Sequence, residues 1–393
     1  MRKGPTPLRL LRYVQERLGL AWYLDAPGDG RRSPQIPASS LLWALVVGKV
    51  LRVPSFHGLE ALVRLTSPSL GVEGRFGDDA LAYFTERLSV DRLRLALATL
   101  VKRAKRNKVF ERVVHLGLAL DGTGAGRSQA CRCGLCRPQG GMYAHWLCAI
   151  SVVGPGALVL PFDAEHYRPG EGELTAGKRL LERAVGLLGR RFATYVVADG
   201  LYAAAPFIHW AQGLDLAVVI ALKDSLPELY QAARARFEDT PAHQCFDYEK
   251  GVVELWDADD FEPWEGLRWP TVRVLRYRHT RPDGHIFDAY WLTSFGTRKV
   301  GSKALFRMAK SRWGIENQGF NDAKNRYGLK HIPHHEPNSI RIHTLLVFLA
   351  MCVERLYRLR YLRRGGRPAP SAIELLRLLW LSLGPPVQAY DTS

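Results

Sequence analysis

The chain has 393 residues, 47% of them hydrophobic, with 55 Lys and Arg against 38 Asp and Glu, a formal charge of +17. That length and apolar content supply two or three domains with a real core, and they exclude a peptide hormone, a disulfide miniprotein and a collagen-like fibre. A cationic excess of this size serves a polyanion, either nucleic acid or an anionic membrane surface.

Residues 1–110 read as mostly helical, with apolar residues at helical spacing over 41–51 and 93–104 and Gly/Pro-rich breaks at 27–37 and 68–77. The second helix opens after Ser89, a predicted cap, and closes in the basic run Lys102, Arg103, Lys105, Arg106, Lys108. That run is a candidate phosphate-contacting face; the same cations would also offset the dipole of a solvated helix end.

Residues 113–120 are nearly all apolar and too short for a typical helix, which predicts a strand buried on both faces and ending at Asp121. Strand-like runs at 146–153 and 157–162 flank Gly154-Pro155-Gly156, a turn signal that makes them an antiparallel hairpin. Residues 174–191 carry a helical pattern through Leu180, Leu181, Ala184, Leu187 and Leu188. A strand over 193–198 ends at Asp199, and a helix over 206–212 and a strand over 216–222 follow. This order, an antiparallel meander leading into parallel crossovers, is the ribonuclease-H-like plan of an α/β fold with a mixed sheet.

Residues 224–300 interrupt the plan with charged, Trp-bearing, strand-like pieces at 252–256, 271–278 and 287–294, and are expected to form an inserted, mostly β subdomain. Helical stretches follow at 303–327 and 340–364. The predicted organisation is a helical region with a candidate phosphate-contacting face, hence a candidate DNA-binding region (1–110), the first part of an α/β core (111–223), the insertion (224–300), the last core helix (301–335) and a helical basic C-terminal region (336–393). The apolar run 345–353 has nine residues, against the ~20 that a spanning helix needs, so no membrane span is expected. With no secretory-type apolar stretch after Met1, the expected location is cytoplasmic, and the cationic excess suits association with the nucleoid.

In parallel sheets functional groups collect beyond the carboxyl ends of strands, and Asp121 and Asp199 both stand there. Two close carboxylates repel, and a hard divalent cation with oxygen ligands removes the conflict. A third carboxylate on a helix crossing the sheet edge would complete a two-metal site for phosphoryl transfer. Glu316 is the best candidate, because Arg312, four residues earlier, lies on the same helical face and would reach a phosphate held there. Taken singly, each residue has an ordinary reading as a turn former or surface pair.

The segments Leu120-Asp121-Gly122-Thr123, Val197-Ala198-Asp199-Gly200-Leu201-Tyr202 and Arg312-Trp313-Gly314-Ile315-Glu316 resemble the three acidic motifs of DDE transposases of bacterial insertion sequences. The likeness is to the branch with a large β-rich insertion ahead of the Glu, and it covers roughly residues 113–330. Asp-Gly-Leu-Tyr followed by Pro206-Phe207-Ile208 and Leu222-Lys223 is its more specific part. That branch carries a Tyr, Arg, Glu, Lys signature on the last catalytic helix. Arg312 and Glu316 fit it; the Tyr position is Ala309 here, and the Lys expected seven after Glu316 is Ala323, with Lys324 one place on. In an α-helix that shift rotates Lys324 by about 100°.

The resemblance implies Mg²⁺ or Mn²⁺ bound by Asp121, Asp199 and Glu316, with Arg312 and Lys324 on DNA. It further implies cleavage at transposon ends, strand transfer into target DNA, and a homodimer holding two ends in a synaptic complex. The rivals are a metal-dependent nuclease of the same fold without strand transfer, and a non-catalytic transposase-derived regulator.

Cys131-x-Cys133-x₂-Cys136, with His145 and Cys148 nearby, offers soft ligands for a structural Zn²⁺; the alternative is a set of reduced thiols in a Gly/Arg-rich loop. Arg127, Arg132 and Arg137 interleave with these cysteines and make the segment a DNA-contacting candidate. In the insertion, Trp256, Trp264, Trp269 and Trp291 offer faces on which an unpaired base would stack, Trp291 reading more as packing. His334-His335 read as neutral loop histidines. The C-terminal Arg355, Arg358, Arg360, Arg363, Arg364 and Arg367 read as a basic stripe along an amphipathic helix, for DNA backbone or a membrane surface.

Overall fold

The structure, a computed structural model, describes residues 4–156, 158–223, 225–363 and 368–384. The apolar run ahead of Asp121 forms strand β1 (Gly117–Ser128), which does not stop at the aspartate but continues seven residues past it. The Gly-Thr-Gly-Ala-Gly stretch there has the composition of a loop, yet it keeps pairing antiparallel with the long strand β3 (Met142–Val153). A short strand β2 (Cys136–Gln139), unforeseen in a segment expected to be a loop, pairs with the start of β3. β4 (Leu160–His166) pairs with the remainder of β3, which gives the expected hairpin a few residues later than its sequence signal.

The crossover half follows the predicted order. Helix Glu173–Leu188 leads to β5 (Tyr195–Ala198), which runs parallel to β1 with Leu118 opposite Val196. Helix Ala205–Gly213 leads to β6 (Ala217–Leu222), parallel to β5. The order β4-β3-β1-β5-β6, antiparallel on one side of β1 and parallel on the other, is the ribonuclease-H-like sheet.

The inserted segment begins with a helix that sequence reading missed, Pro227–Glu238, and continues as β7 (Gln244–Tyr248), β8 (Gly251–Phe261), β9 (Val272–Thr280) and β10 (Ile286–Thr293). β10 pairs antiparallel with β6, so the meander prolongs the core sheet to ten strands. Its charged texture has a structural cause. Arg273, nearly fully buried, donates to both oxygens of Asp257 and to the carbonyls of Phe295 and Val300; Arg276 likewise pairs with Asp288. Ion pairs taken out of water persist only when satisfied this fully.

Two helices are buried on nearly every side and are therefore central. Ala38–Val50 and Pro337–Leu356 pack on each other, and the second also lies on β4. The predicted helix over 93–104 runs from Val90 to Arg106, with the Ser89 side chain accepting from the Arg92 N–H. Among the described residues no helix is long and apolar enough to cross a membrane.

The basic C-terminal stripe is corrected at two positions, Arg355 and Arg358, while Arg360 and Arg363 are exposed. Arg355 is buried, donating to the carbonyls of Val159 and Gln318 and to Asp322, and Arg358 pairs with Glu354. Both hold the fold together and do not face a ligand. The central helix ends at Leu356, and a π-turn, Tyr357–Leu362, follows. Arg360 donates to the carbonyl of Lys108 at 3.2 Å. Arg364 and Arg367 lie outside the described residues.

Candidate active site

The β1–β5 ladder ends with Ala119 opposite Val197. Two residues further on each strand stand Asp121 and Asp199, returned to one face by the period of two, on strands about 4.8 Å apart. Asp199 also orders the backbone after it: its Oδ1 accepts the Leu201 N–H at 3.0 Å and caps the single 3₁₀ turn Gly200–Tyr202.

The third element arrives as helix Ser302–Ser311, then a π-turn, Ile315–Phe320, then a further turn, Asn321–Asn325. Arg312, its side chain 9% exposed, donates to Asp121 Oδ2 at 3.3 Å and forms an ion pair with Glu316 Oε1 at 2.7 Å, so one guanidinium joins acids far apart in sequence. Burial pushes the Asp121 carboxyl up to about 7; Arg312 opposes this, and the charges of Glu316, Glu173 and Asp199 add to it. Carboxylates from three distant segments, Glu316, Glu173 and Asp199, thus all act on Asp121.

The π-turn changes the reading of Lys324. A turn closed by i→i+5 bonds takes in one residue more than an α-turn. Eight residues on from Glu316 therefore falls near where seven would fall in an unbroken helix, and the 100° rotation expected for a plain α-helix is cancelled. Lys324 is half-buried, burial and Lys330 hold its pKa down, and the Asp121 carboxylate acts on it in the opposite sense. Ala323, at the nominal spacing, is fully buried. Arg355 supports the bulge by donating to the Gln318 carbonyl inside it. Ala309, where the family signature has Tyr, is packed in the core.

Sequence reasoning missed Glu173. It opens the helix after β4, and its carboxylate accepts from the Tyr167 and Tyr202 hydroxyls, both at 3.1 Å. Burial raises its pKa against those two bonds. A Cβ at Gly122 would overlap the Glu173 carboxylate and the Tyr167 hydroxyl, so the residue after Asp121 must be glycine for this acid to sit here. Only the tyrosine that closes Asp199-Gly200-Leu201-Tyr202 pointed toward it.

Beside Arg312 a cavity of about 240 Å³ is walled by Tyr230, Phe287, Tyr290, Trp291 and Trp313, with Lys223 at its edge. Trp291 is buried, as packing predicted, but also lines this cavity. Trp256 is buried under Arg276 and donates to the Thr240 carbonyl, and Trp269 donates to Gln212.

The second cluster of the sequence lies in the β2–β3 corner. Cys131, Cys133, Cys136 and His145 bring one ligand atom each within 4.8 Å of all the others. Cys148 is not among them; its Sγ faces the Tyr202 hydroxyl at 3.4 Å. Arg127 and Arg132 are exposed, Arg132 beside the Tyr143 ring, whereas Arg137 donates to the Arg168 and Glu171 carbonyls and so braces the loop after β4. In the basic run, Lys102 and Arg106 are exposed, Arg103 is half-buried, and Lys105 donates to the Phe192 carbonyl at 2.7 Å. His334 pairs with Glu86, and the His335 ring lies 6.1 Å from that of His145.

A ribonuclease-H-like sheet with an acid within β1, an acid after β5 and an Arg-x₃-Glu helix beside them is the architecture to which the three motifs led. Residues 156–353 match the family model described as the transposase DDE domain, just over half of the chain, and the protein belongs to that family. The match includes Asp199 and Glu316 and begins after Asp121. Among solved structures, the chain is similar to the piggyBac transposase in the cryo-EM structure of its synaptic complex with hairpin DNA. That similarity has 11% identity and a TM-score of 0.47, covering 98% of this chain and 82% of that one. No curated protein matches the sequence.

Proposed function

We propose that this member of the transposase family cuts DNA at transposon ends and joins the freed ends to target DNA, with Asp121, Asp199 and Glu316 as its catalytic acids. The observation that carries the reading is the convergence of the three acids on one sheet edge with Arg312 bonded to two of them. The donor set suits Mg²⁺ or Mn²⁺, since every candidate ligand is a hard carboxylate oxygen. Bound there, such ions would supply Lewis-acid stabilisation of attacking and leaving oxygens.

The chain's own residues do the remaining work. Arg312 is positioned to exchange its carboxylate partners for a phosphate, which it would hold by paired N–H bonds. Lys324 supplies a second cation on the same side of the bulged helix. The aromatic cavity beside Arg312 has the size and lining to accept one unstacked base, the stacking chemistry that cleavage near a duplex end calls for. Arg127, Arg132, Lys102 and Arg103 extend the cationic surface along the DNA backbone. In this reading residues 1–110 form a DNA-binding region, residues 224–300 are the insertion that completes the base cavity, and two copies hold two ends.

The test is one reaction: labelled end DNA, a target plasmid and Mg²⁺. Joined products support transposition. Cleavage without joining supports the nuclease reading, and binding without cleavage supports a regulator.

A further inference from the structure

A histidine with no exposed surface needs polar partners, and His145 has three, all sulfur. Its Nε2 stands 3.3 Å from Cys133 Sγ, 3.3 Å from Cys136 Sγ and 3.8 Å from Cys131 Sγ. Its Nδ1 is buried with no hydrogen-bond partner among the described residues, so the three sulfurs are the ring's polar surroundings. The sulfurs also approach one another, Cys136 lying 3.3 Å from Cys131 and 3.6 Å from Cys133. Those separations are far too long for a disulfide bond of about 2.05 Å. They are close to the edges of a tetrahedron around zinc: bonds of about 2.3 Å to sulfur and 2.0 Å to nitrogen imply edges of roughly 3.5–3.8 Å.

The strand register explains how four ligands meet. Cys136 on β2 is directly opposite His145 on β3, a cross-strand pair. Cys131 and Cys133 come from the loop that returns from β1, and the Cys136 N–H donates to the Cys133 carbonyl, folding Cys-x₂-Cys into one turn. Three elements close on one point, and their four ligand atoms fill the four corners of a tetrahedron, leaving no coordination position for water or substrate. That is the signature of a structural centre and not of a reacting one.

We infer that Cys131, Cys133, Cys136 and His145 form a closed Cys₃His site that takes one Zn²⁺ and staples the β1–β2 loop to β3. On binding, three S–H protons leave to solvent, and three S–Zn bonds and one N–Zn bond form. The stapled segment carries Arg127 and Arg132, and it leans on the chain that leaves the Glu316 helix: a Cβ at Gly126 would meet the Lys330 carbonyl at 3.0 Å, and His335 flanks His145. The zinc therefore fixes the DNA-facing arginines relative to the acid triad. This site is independent of the catalytic reading, because no carboxylate takes part in it.

The full-length chain, purified under reducing conditions without chelator, is assayed for zinc by plasma mass spectrometry beside Cys133→Ser/Cys136→Ser and Asp199→Ala. One zinc per chain is expected in the wild type and in Asp199→Ala, and less than a tenth of that in the double variant. Should the double variant fold poorly, the wild type alone decides the matter: stripped of metal and titrated with Co²⁺, it should reach one equivalent with the visible bands of tetrahedral cobalt and a thiolate-to-cobalt charge-transfer band. Zinc retained by the double variant, a wild type that holds no stoichiometric metal, or cobalt bound without the thiolate band would each overturn the assignment. Loss of zinc from Asp199→Ala alone would move the metal to the carboxylates.

Discussion

The β1–β3 ladder carries two clusters of opposite character. At one level Asp121, opposite Ala149, belongs to a group of carboxylates in which Glu316 is 43% exposed and an arginine lies between two of the acids. A few residues along, His145 is sealed among three sulfurs with no exposed surface. The hard oxygens come from separate elements, with the Arg312 cation between two of them and Glu316 reaching solvent. The soft ligand atoms, drawn from a loop and a hairpin, face one another and would surround an ion on four sides. The first arrangement favours exchange of partners; the second favours permanence.

The largest expected effect breaks the oxygen cluster alone. Asp199→Ala should lower end cleavage by a factor on the order of a thousand or more, the several kcal/mol that metal assistance supplies at about 1.4 kcal/mol per decade. DNA affinity, measured by fluorescence anisotropy, should stay within about twofold, since the cationic surface provides it. Equal cleavage by variant and wild type would show that the site is elsewhere.

Next is the bulged helix. Lys324→Ala should cost roughly 10–100-fold in cleavage, the worth of one charge-assisted contact to a phosphate. The exchange Ala323→Lys/Lys324→Ala should fail to restore it, because position 323 is in the core. Recovery of activity by the exchanged pair would argue that the helix is an unbroken α-helix in solution.

Glu173→Gln keeps the shape that Tyr167 and Tyr202 grip while removing a charge beside Asp121. The Mg²⁺ concentration for half-maximal cleavage should rise about tenfold, as is typical when a group supporting a metal ligand is changed. An unchanged Mg²⁺ midpoint would reduce Glu173 to a packing residue. At the sulfur cluster, chelation should make the exposed Arg127–Arg132 stretch about tenfold more sensitive to trypsin while cleavage at Arg183, in helix Glu173–Leu188 of the core, stays unchanged; uniform sensitivity would mean that the whole fold depends on the metal. The smallest effect belongs to the surface cations. Arg127→Ala and Arg132→Ala should each reduce the slope of log affinity against log salt by about 0.9, and an unaltered slope would remove that residue from the DNA path.

What the sequence disclosed depended on how local each signal was. Strands ending in acids were legible because burial on both faces leaves an unbroken apolar run, and Asp121 and Asp199 stand where those runs stop. The continuation of β1 was not legible, because its glycines have strand geometry only through pairing with β3. Glu173 gave no local sign at all: its environment is made by two tyrosines and a glycine from three other segments. Arg355 and Arg358 were misread for a related reason. Periodicity marks a helix as amphipathic relative to water, but Pro337–Leu356 is surrounded by protein: its Arg355 faces Asp322 and backbone carbonyls, and its Glu354 is taken by Arg358 of the turn that follows. The π-turn likewise escapes any reading that assumes a fixed 100° per residue.

The pairing of β10 with β6 has a mechanical consequence. Leu222 to Val219 are bonded in register to Tyr290 through Thr293, so the insertion is laced to the strand neighbouring Asp199's own. A swinging clamp at that seam would have to unzip four rungs of backbone bonding first. Whatever the insertion grasps, any tug on it is felt in the strand beside the acids, and compliance must come from loops elsewhere in the molecule.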